Sequence, residues 1–217
     1  MPARRMTEVA RTAARPMGLA LAAATRAVSV LRPAPKPLHP RGSLHEARIH
    51  RHGSDPRTGV PWLDEPGEDE VVVRLSRAIG LPAGWPDIHG LALRLVADGV
   101  PGDLLFASTG RGRAGRFLLT LGRRPEDRPM TTLLPYRTEP GPVLLGAFAT
   151  APGTYELCWA RGAGPWHHFG ALELAERARP GEISFDPVRH RVGGLEPYPA
   201  LTLLREPAYR SARRSRA

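Results

Sequence analysis

The chain has 217 residues, of which 41% are hydrophobic, with 24 prolines and 23 glycines; this excludes a disordered or wholly membrane-embedded protein and allows a core within one domain. The net charge is +10, but Lys36 is the only lysine and acidic residues are spread through the middle of the chain. We therefore expect no specific nucleic-acid partner, because the sequence has neither a continuous basic stripe nor a known nucleic-acid-binding module.

The N-terminal part of the chain differs in composition from the rest. Residues 7–31 are rich in alanine and other helix formers and predict a helix, which the stiff, proline-rich linker Pro33–Pro40 follows. The apolar run Met17–Leu31 is too short to span a bilayer and is interrupted by Arg26. The helix is therefore expected to lie on the main domain or, through residues 1–32, on a membrane surface.

After the linker, short apolar runs alternate with turns rich in proline and glycine. Such close spacing is typical of an antiparallel meander rather than of alternating strands and helices. Gly53–Gly67 is predicted as a loop, Arg116–Leu121 as a short helix and Leu201–Arg214 as a C-terminal helix. The predicted strands are Leu44–His50, Val71–Leu75, Gly90–Ala97, Asp103–Ser108, Met130–Tyr136, Pro142–Thr150, Tyr155–Ala160 and His168–Ala175.

Eight strands can close a barrel whose interior is filled by side chains or holds one small ligand. The sequence therefore predicts a mainly β (α+β) fold, an eight-stranded antiparallel β-barrel with an N-terminal and a C-terminal helix. Residues 1–37 are predicted to form the N-terminal helix and linker, and residues 38–217 the barrel domain with the C-terminal helix. Cys158 is the only cysteine, which excludes an intramolecular disulfide and favours a cytoplasmic location.

Several short patterns that carry histidine, arginine, serine and tyrosine occur in order along the chain. They are His39-Pro40-Arg41-Gly42 before the first predicted strand, Val73-Arg74-Leu75-Ser76 at the end of the second, then Pro86–Arg94 and Gly102–Leu105, and finally Phe185–Pro187 followed by Arg205–Tyr209 on the predicted C-terminal helix.

This series resembles the catalase-like haem proteins, especially their short, minimal relatives. In that family a strand opens with His-Ala-Arg-Gly or His-Ala-Lys-Gly. Later strands carry Val-Arg-Phe-Ser, Arg-Gly-Met-Ala-Val-Arg-Phe and Asp-Leu-Val, and a C-terminal helix presents Arg-x-x-x-Tyr. The resemblance covers about residues 38–110 and 180–213. It implies a catalase-like barrel that binds haem and acts on a small-molecule peroxide as a peroxidase-like or catalase-like oxidoreductase.

On the proximal side of the haem, the resemblance implies Tyr209 as the iron ligand and Arg205 as its charge partner. The two residues are four apart and therefore share one face of a helix. An arginine beside a phenol favours the phenolate, and tyrosinate is a known axial ligand of haem iron. The alternative is a surface helix in an arginine-rich tail, on which Tyr209 packs and Arg205 is solvated.

On the distal side, the resemblance implies His39 as the catalytic acid–base, since a neutral imidazole can take a proton from a peroxide and return it to the departing oxygen. Ser76 would orient that imidazole through a hydrogen bond. Arg41 and Arg74 would bind the haem propionates, because a planar guanidinium pairs well with a carboxylate. His39 and Tyr209 are expected on opposite sides of one haem in a shared cavity.

One departure from the family pattern bears on activity. Catalases keep a distal asparagine shortly after Asp-Leu-Val, whereas this sequence has no asparagine, and the nearest counterparts are Ala107 and Ser108. Full catalase turnover is therefore not expected. The chain is also shorter than the larger catalases, whose extended loops bury the haem, and a more open pocket would suit peroxidase or peroxide-rearranging chemistry, or a barrel that has lost haem. The alternative function is a non-enzymatic barrel that binds a hydrophobic ligand or an acidic partner. A metal site at His45, His50 and His52 is a further alternative.

Overall fold

The computed structural model describes residues 42–82, 84–97, 99–181 and 183–198. The predicted N-terminal helix and linker and the predicted C-terminal helix lie outside this part of the chain and stay predictions. Within it, no helix combines the length and the apolar character needed to cross a membrane. The strands are β1 (Gly42–Arg51), β2 (Gly67–Arg77), β3 (His89–Ala97), β4 (Val100–Ser108), β5 (Met130–Thr131), β6 (Tyr136–Thr138), β7 (Gly141–Ala151), β8 (Thr154–Arg161), β9 (His167–Leu174) and β10 (Glu196–Pro197).

Eight of these strands close into an antiparallel β-barrel. β1 pairs with β2 on one side and with β9 on the other, and the pairing continues through β3, β4, β5, β7 and β8. The pairing of β7 with β8 completes the circle. Both β5 and β6 pair with β7, so they are two parts of one interrupted strand, and β10 pairs with β6. The predicted eight-stranded antiparallel barrel is confirmed.

The interruption falls inside the predicted strand Met130–Tyr136. Leu133 has a φ of 61°, in the left-handed region that strands do not use. The Thr131 hydroxyl accepts the N–H of Leu133, and the Thr132 N–H still donates to Leu145 on β7. The chain therefore leaves β7 for a short turn and returns to it at Tyr136.

The predicted loop Gly53–Gly67 contains a short helical turn, α1 (Pro61–Asp64). Proline is well suited to the first turn of a helix, because its φ is already helical and its missing N–H leaves no donor unpaired. The Asp64 carboxylate accepts the backbone N–H groups of Thr58 and Gly59, which folds the preceding residues back onto this turn.

The predicted helix at Arg116–Leu121 is wrong. The helical turn there is α2, which covers Gly112–Gly115. Leu119 instead forms an isolated β-bridge with Thr109, and the Thr120 N–H donates to Ser108 on β4. After a further turn at Arg116 and Phe117, these bonds hold Leu119 and Thr120 against the end of β4, so pairing with β4 overrides the local helix propensity.

Side chains from β1 to β9 meet in one buried core inside the barrel. Its largest members include Trp159, Tyr155 and Phe169, each no more than 2% exposed. Burial of each such side chain contributes about 1.5–3 kcal/mol to folding. Val192 and Leu195, from the segment that precedes β10, join the same core. The interior is therefore occupied by the protein's own aromatic and aliphatic groups.

Asp103 on β4 attaches this C-terminal segment to the barrel. Its carboxylate is fully buried and accepts two hydrogen bonds from Arg94 on β3, each 2.7 Å long. The same carboxylate accepts the N–H of Asp186 at 2.6 Å and lies 3.0 Å from His190 Nδ1. The backbone N–H of Asp103 donates to the carbonyl of His190. One side chain thus links two strands to residues more than eighty positions away.

We expect Asp103→Ala to lower the free energy of unfolding by roughly 3 kcal/mol, because Arg94 would lose its charge partner and the segment its anchor. Urea denaturation at pH 7 measures the change. Glu70→Ala is the matched control, since the pair of Arg48 and Glu70 is exposed on both sides and should contribute less than about 0.5 kcal/mol. Equal effects of the two substitutions would contradict the anchoring role of Asp103.

Candidate functional site on the outer wall of β1 to β4

The strand register aligns one residue from each of three predicted motif segments with a residue close to the fourth. Gly42 on β1 lies opposite Ser76 on β2, Ser76 lies opposite Gly90 on β3, and Gly90 lies opposite Ala107 on β4. Ala107 lies two residues after the predicted Gly102–Leu105 segment. All four side chains are small or absent, and we call this line of residues the small-residue row. It forms a low, flat strip across four neighbouring strands.

The alternation of side chains along each strand decides on which face this row lies. Val71 and Val73 of β2 point into the barrel core, as do Leu91 and Leu93 of β3. Because neighbouring side chains in a strand point to opposite faces, Arg74, Ser76 and the residues opposite them lie on the outside of the barrel. The sequence predicts a haem in a cavity, but the barrel interior is filled. A flat ligand of these residues would lie against the outer wall.

Two glycines let the predicted polar side chains lie close to this wall. A Cβ on Gly42 would come within 2.9 Å of Arg74 Nε and 2.6 Å of the Leu75 carbonyl oxygen. A Cβ on Gly90 would lie 2.8 Å from Ser76 Oγ. The Ser76 hydroxyl is 3.5 Å from the carbonyl oxygen of Gly90, the upper limit for a hydrogen bond. The two glycines therefore make room for Arg74 and Ser76 along the strip.

Ser108 cannot replace the missing distal asparagine, because its hydroxyl is already used. It donates to the Thr120 carbonyl at 2.7 Å and accepts the N–H of His89 at 3.0 Å, and the side chain is fully buried. Ala107, the neighbouring residue, lies on the outer face of β4, and its side chain carries no polar group. The described part of the row therefore offers no amide at the place where catalases keep one.

Four of the predicted site residues lie outside the described part of the chain: His39, Arg41, Arg205 and Tyr209. Their roles stay predictions. Gly42 pairs directly with Ser76. The structure therefore brings the end of the His-Pro-Arg-Gly motif next to the end of the Val-Arg-Leu-Ser motif.

Arg94 on β3 and Asp103 on β4 form a charged row at the far end of the same wall. The sequence did not predict that this row anchors the segment before β10. Arg94 lies opposite Asp103, and both face outward from the barrel. In the sequence Arg94 looks like an interruption of an apolar run, although its position obeys the strand alternation. His190, whose imidazole also contacts Asp103, lies far away in sequence and gives no local signal.

The loop after Ser76 is built around the buried carboxylate of Asp87. Four backbone N–H groups, from residues 79, 80, 81 and 88, donate to it over 2.7–3.2 Å. Burial by itself would raise the pKa of the Asp87 carboxyl, but these donors hold its pKa below the usual value of 3.8. Arg77 lies 3.4 Å away and donates to the carbonyls of Pro82 and Trp85. Asp87 and Arg77 therefore tie the described residues on both sides of this connection together.

Other candidate residues have ordinary partners. His45 contacts Ser43 and the Ala175 carbonyl, His50 contacts Glu68, and His52 contacts His168. Within the described chain, no group of three or more histidine, cysteine or acidic residues could hold a metal ion. The predicted alternative of a site at His45, His50 and His52 is therefore wrong.

Cys158 is buried in β8. Burial, with a smaller effect of Glu156, raises the pKa of its thiol to about 12. Because the thiolate is the nucleophilic form, this thiol is inert at neutral pH.

No protein-family model and no curated protein matches the sequence. Among solved structures, the fold is similar to that of a bacterial catalase, with a TM-score of 0.56 and 11% sequence identity. The match covers 85% of this chain and 57% of that chain. This similarity shows a catalase-like β-barrel fold. The chain spans little more than half of that catalase.

We expect Asp87→Asn to lower the free energy of unfolding at pH 7 by roughly 1–3 kcal/mol, because an amide cannot accept all four backbone N–H groups. The pKa of Asp87 is lower in the folded protein than 3.8, so the carboxylate stabilises the fold above that value and stops doing so as the pH falls through the lower folded value. The difference in the free energy of unfolding between wild type and Asp87→Asn should therefore become smaller below pH 3.8.

Urea denaturation over a series from pH 7 to pH 3 tests this expectation. Asp55→Asn, at an exposed carboxylate, is the control and should change stability by less than about 0.5 kcal/mol at any pH. If the difference in the free energy of unfolding between wild type and Asp87→Asn stays constant down to pH 3, the charge on Asp87 does not stabilise the loop.

Proposed function

We propose that the outer wall of β1 to β4 binds haem and that the protein is an oxidoreductase acting on hydrogen peroxide or an organic peroxide. The observation that carries this proposal is the small-residue row. Three segments chosen from sequence for their resemblance to the catalase-like haem proteins contribute Gly42, Ser76 and Gly90 to this row, and Ala107 on the next strand extends it.

The described residues fit one face of a flat, dianionic group. The small-residue row carries no side chain larger than serine, and the Arg74 guanidinium lies over Gly42 on the same wall, where it would pair with a propionate. Arg41 would pair with the second propionate. Tyr209 would hold the iron from the other side, and Arg205 would favour its phenolate form. When bound, haem would supply the redox chemistry that cleaves the peroxide bond.

The chain's own contribution to the reaction would be proton movement at His39. Its imidazole would accept the proton from one peroxide oxygen and deliver it to the other, which leaves as part of water or an alcohol. Ser76 lies at the end of β2, directly opposite Gly42, and would hold the orientation of that imidazole. The missing amide at Ala107 leaves the peroxide with one fewer hydrogen-bond donor. We therefore propose peroxidase-like turnover slower than that of catalases.

A second candidate function is a non-enzymatic barrel that binds a hydrophobic ligand or an acidic partner. The observation in its favour is the apolar Ala107 at the place of the catalase amide. Because the interior is filled by residues such as Trp159 and Tyr155, such a ligand would also have to lie on the outside of the barrel. This candidate predicts binding without any consumption of peroxide.

Haem titration of the purified full-length protein tests the leading proposal. We expect a ferric Soret band that saturates at one haem per chain, and we expect Tyr209→Phe to abolish it because the iron loses its phenolate ligand. Tyr198→Phe is the matched control and should leave the spectrum unchanged. A wild-type protein that takes up no haem would end the proposal, and a band that survives in Tyr209→Phe would end the assignment of the ligand.

We expect Ala107→Asn to raise the rate of peroxide consumption by the haem-loaded protein by about tenfold or more, because one added hydrogen-bond donor contributes roughly 1.4 kcal/mol or more when it acts on the transition state. Oxygen evolution and peroxide absorbance measure the rate. Ala171→Asn places the same amide on the outside of β9 and should have no effect. Equal rates for both variants would show that Ala107 does not face the reacting peroxide.

A further inference from the structure

Four large apolar side chains are exposed at the end of the barrel where β2 leads into β3 and β4 leads into β5. The exposed fractions are 49% for Ile79, 61% for Trp85, 47% for Leu118 and 48% for Leu121. Ile79 and Trp85 belong to the connection of β2 and β3, and the two leucines belong to the connection of β4 and β5. We call these four residues the apolar end.

The two connections are joined by hydrogen bonds. The N–H of Asp87 donates to the carbonyl of Gly122 at 2.8 Å, and the N–H of Gly122 donates to the carbonyl of Asp87 at 2.9 Å. The His89 imidazole contacts the same Gly122 carbonyl at 3.0 Å. Ile79 and Trp85 are therefore held next to the segment that carries Leu118 and Leu121.

Two of these residues, Ile79 and Trp85, lie in a loop with defined backbone hydrogen bonds. The Asp87 carboxylate accepts the N–H of Ile79, and Arg77 donates to the carbonyl of Trp85, so both apolar residues belong to a loop with fixed backbone contacts. The two hydrogen-bonded connections carry all four exposed apolar side chains, and such a group of exposed apolar side chains indicates an interaction site.

Positive charge surrounds the apolar end. The connection of β4 and β5 contains six arginines and two acidic residues, Glu126 and Asp127. The Asp127 carboxylate is already bound to the backbone N–H groups of Arg123 and Arg124. The arginines with exposed side chains are Arg111, Arg113, Arg123, Arg124 and Arg128. A binding partner of this surface must therefore contact apolar side chains and also carry negative charge.

We propose that the apolar end docks on the surface of an anionic lipid bilayer. A bilayer offers phosphates to arginines and, a few ångströms deeper, an apolar phase to aliphatic groups, while tryptophan prefers the boundary between the two. The surface lies in the barrel domain and is separate in sequence from residues 1–32, for which membrane contact is predicted from sequence. The proposal does not depend on haem binding.

Co-sedimentation of the full-length protein with phosphatidylcholine vesicles, with and without phosphatidylglycerol, tests the proposal. We expect binding only to the anionic vesicles, and we expect the triple variant Trp85→Ser, Leu118→Ser, Leu121→Ser to weaken it by roughly tenfold or more, because apolar area is no longer buried in lipid. Val96→Ser with Val100→Ser is the matched control. These valines are 58% and 59% exposed at the opposite end of β3 and β4, so this variant should bind like wild type.

Tryptophan fluorescence shows whether the apolar end itself enters the lipid. Trp62 and Trp159 are buried and Trp166 is half-buried, so vesicles should shift mainly the emission of Trp85 to shorter wavelength. Trp85→Phe should remove this shift while vesicle binding persists. Arg123→Ala with Arg124→Ala should weaken binding and reduce its dependence on salt.

Three results would overturn the proposal. The first is vesicle binding by the triple variant equal to that of wild type, which would assign binding to another part of the chain. The second is equal binding to neutral and anionic vesicles. The third is no vesicle binding by wild type, in which case an acidic protein would be the better candidate for this surface.

Discussion

The register of β1 to β4 is the constraint on which the candidate site depends. Side chains in a strand alternate between two faces, so a shift of one residue would turn Arg74 and Ser76 into the barrel. Burial of Val71, Val73 and their neighbours in the core holds the register in place. The same apolar contacts that stabilise the barrel therefore determine which polar side chains face outward and which residues lie side by side in the small-residue row.

Two buried carboxylates extend this framework to the connections around the barrel. Asp103 links β3, β4 and the segment that leads to β10, and Asp87 gathers the backbone of the loop between β2 and β3. A carboxylate with several N–H donors is well suited to both positions, because it can satisfy backbone groups that no strand pairs. Asp103 holds the charged row at one end of the outer wall, and Asp87 holds the loop after Ser76 at the other end.

The outer wall and the apolar end are separate parts of the barrel. Haem binding is proposed for the wall and lipid docking for the apolar end. The proposed haem site rests on the small side chains of the wall and on Arg74, and the residue at the place of the catalase amide is Ala107. The apolar end lies on the connections of β2 with β3 and of β4 with β5. The interior takes part in neither property, since its volume is filled by side chains such as Trp159.

Each of the eight predicted strands overlaps an observed one, because strand formation depends on local alternation and turns that a sequence displays directly. Arg74 and Ser76 were selected differently, from the resemblance of their short motif to the catalase-like haem proteins. Local signals failed where distant pairing decided the backbone, as at Leu119, which bridges to Thr109 instead of continuing a helix. Only the tertiary structure decided that the motif residues share the outer face, that His190 contacts Asp103, and that side chains of the described strands fill the barrel interior. These outcomes depend on contacts between residues far apart in the chain.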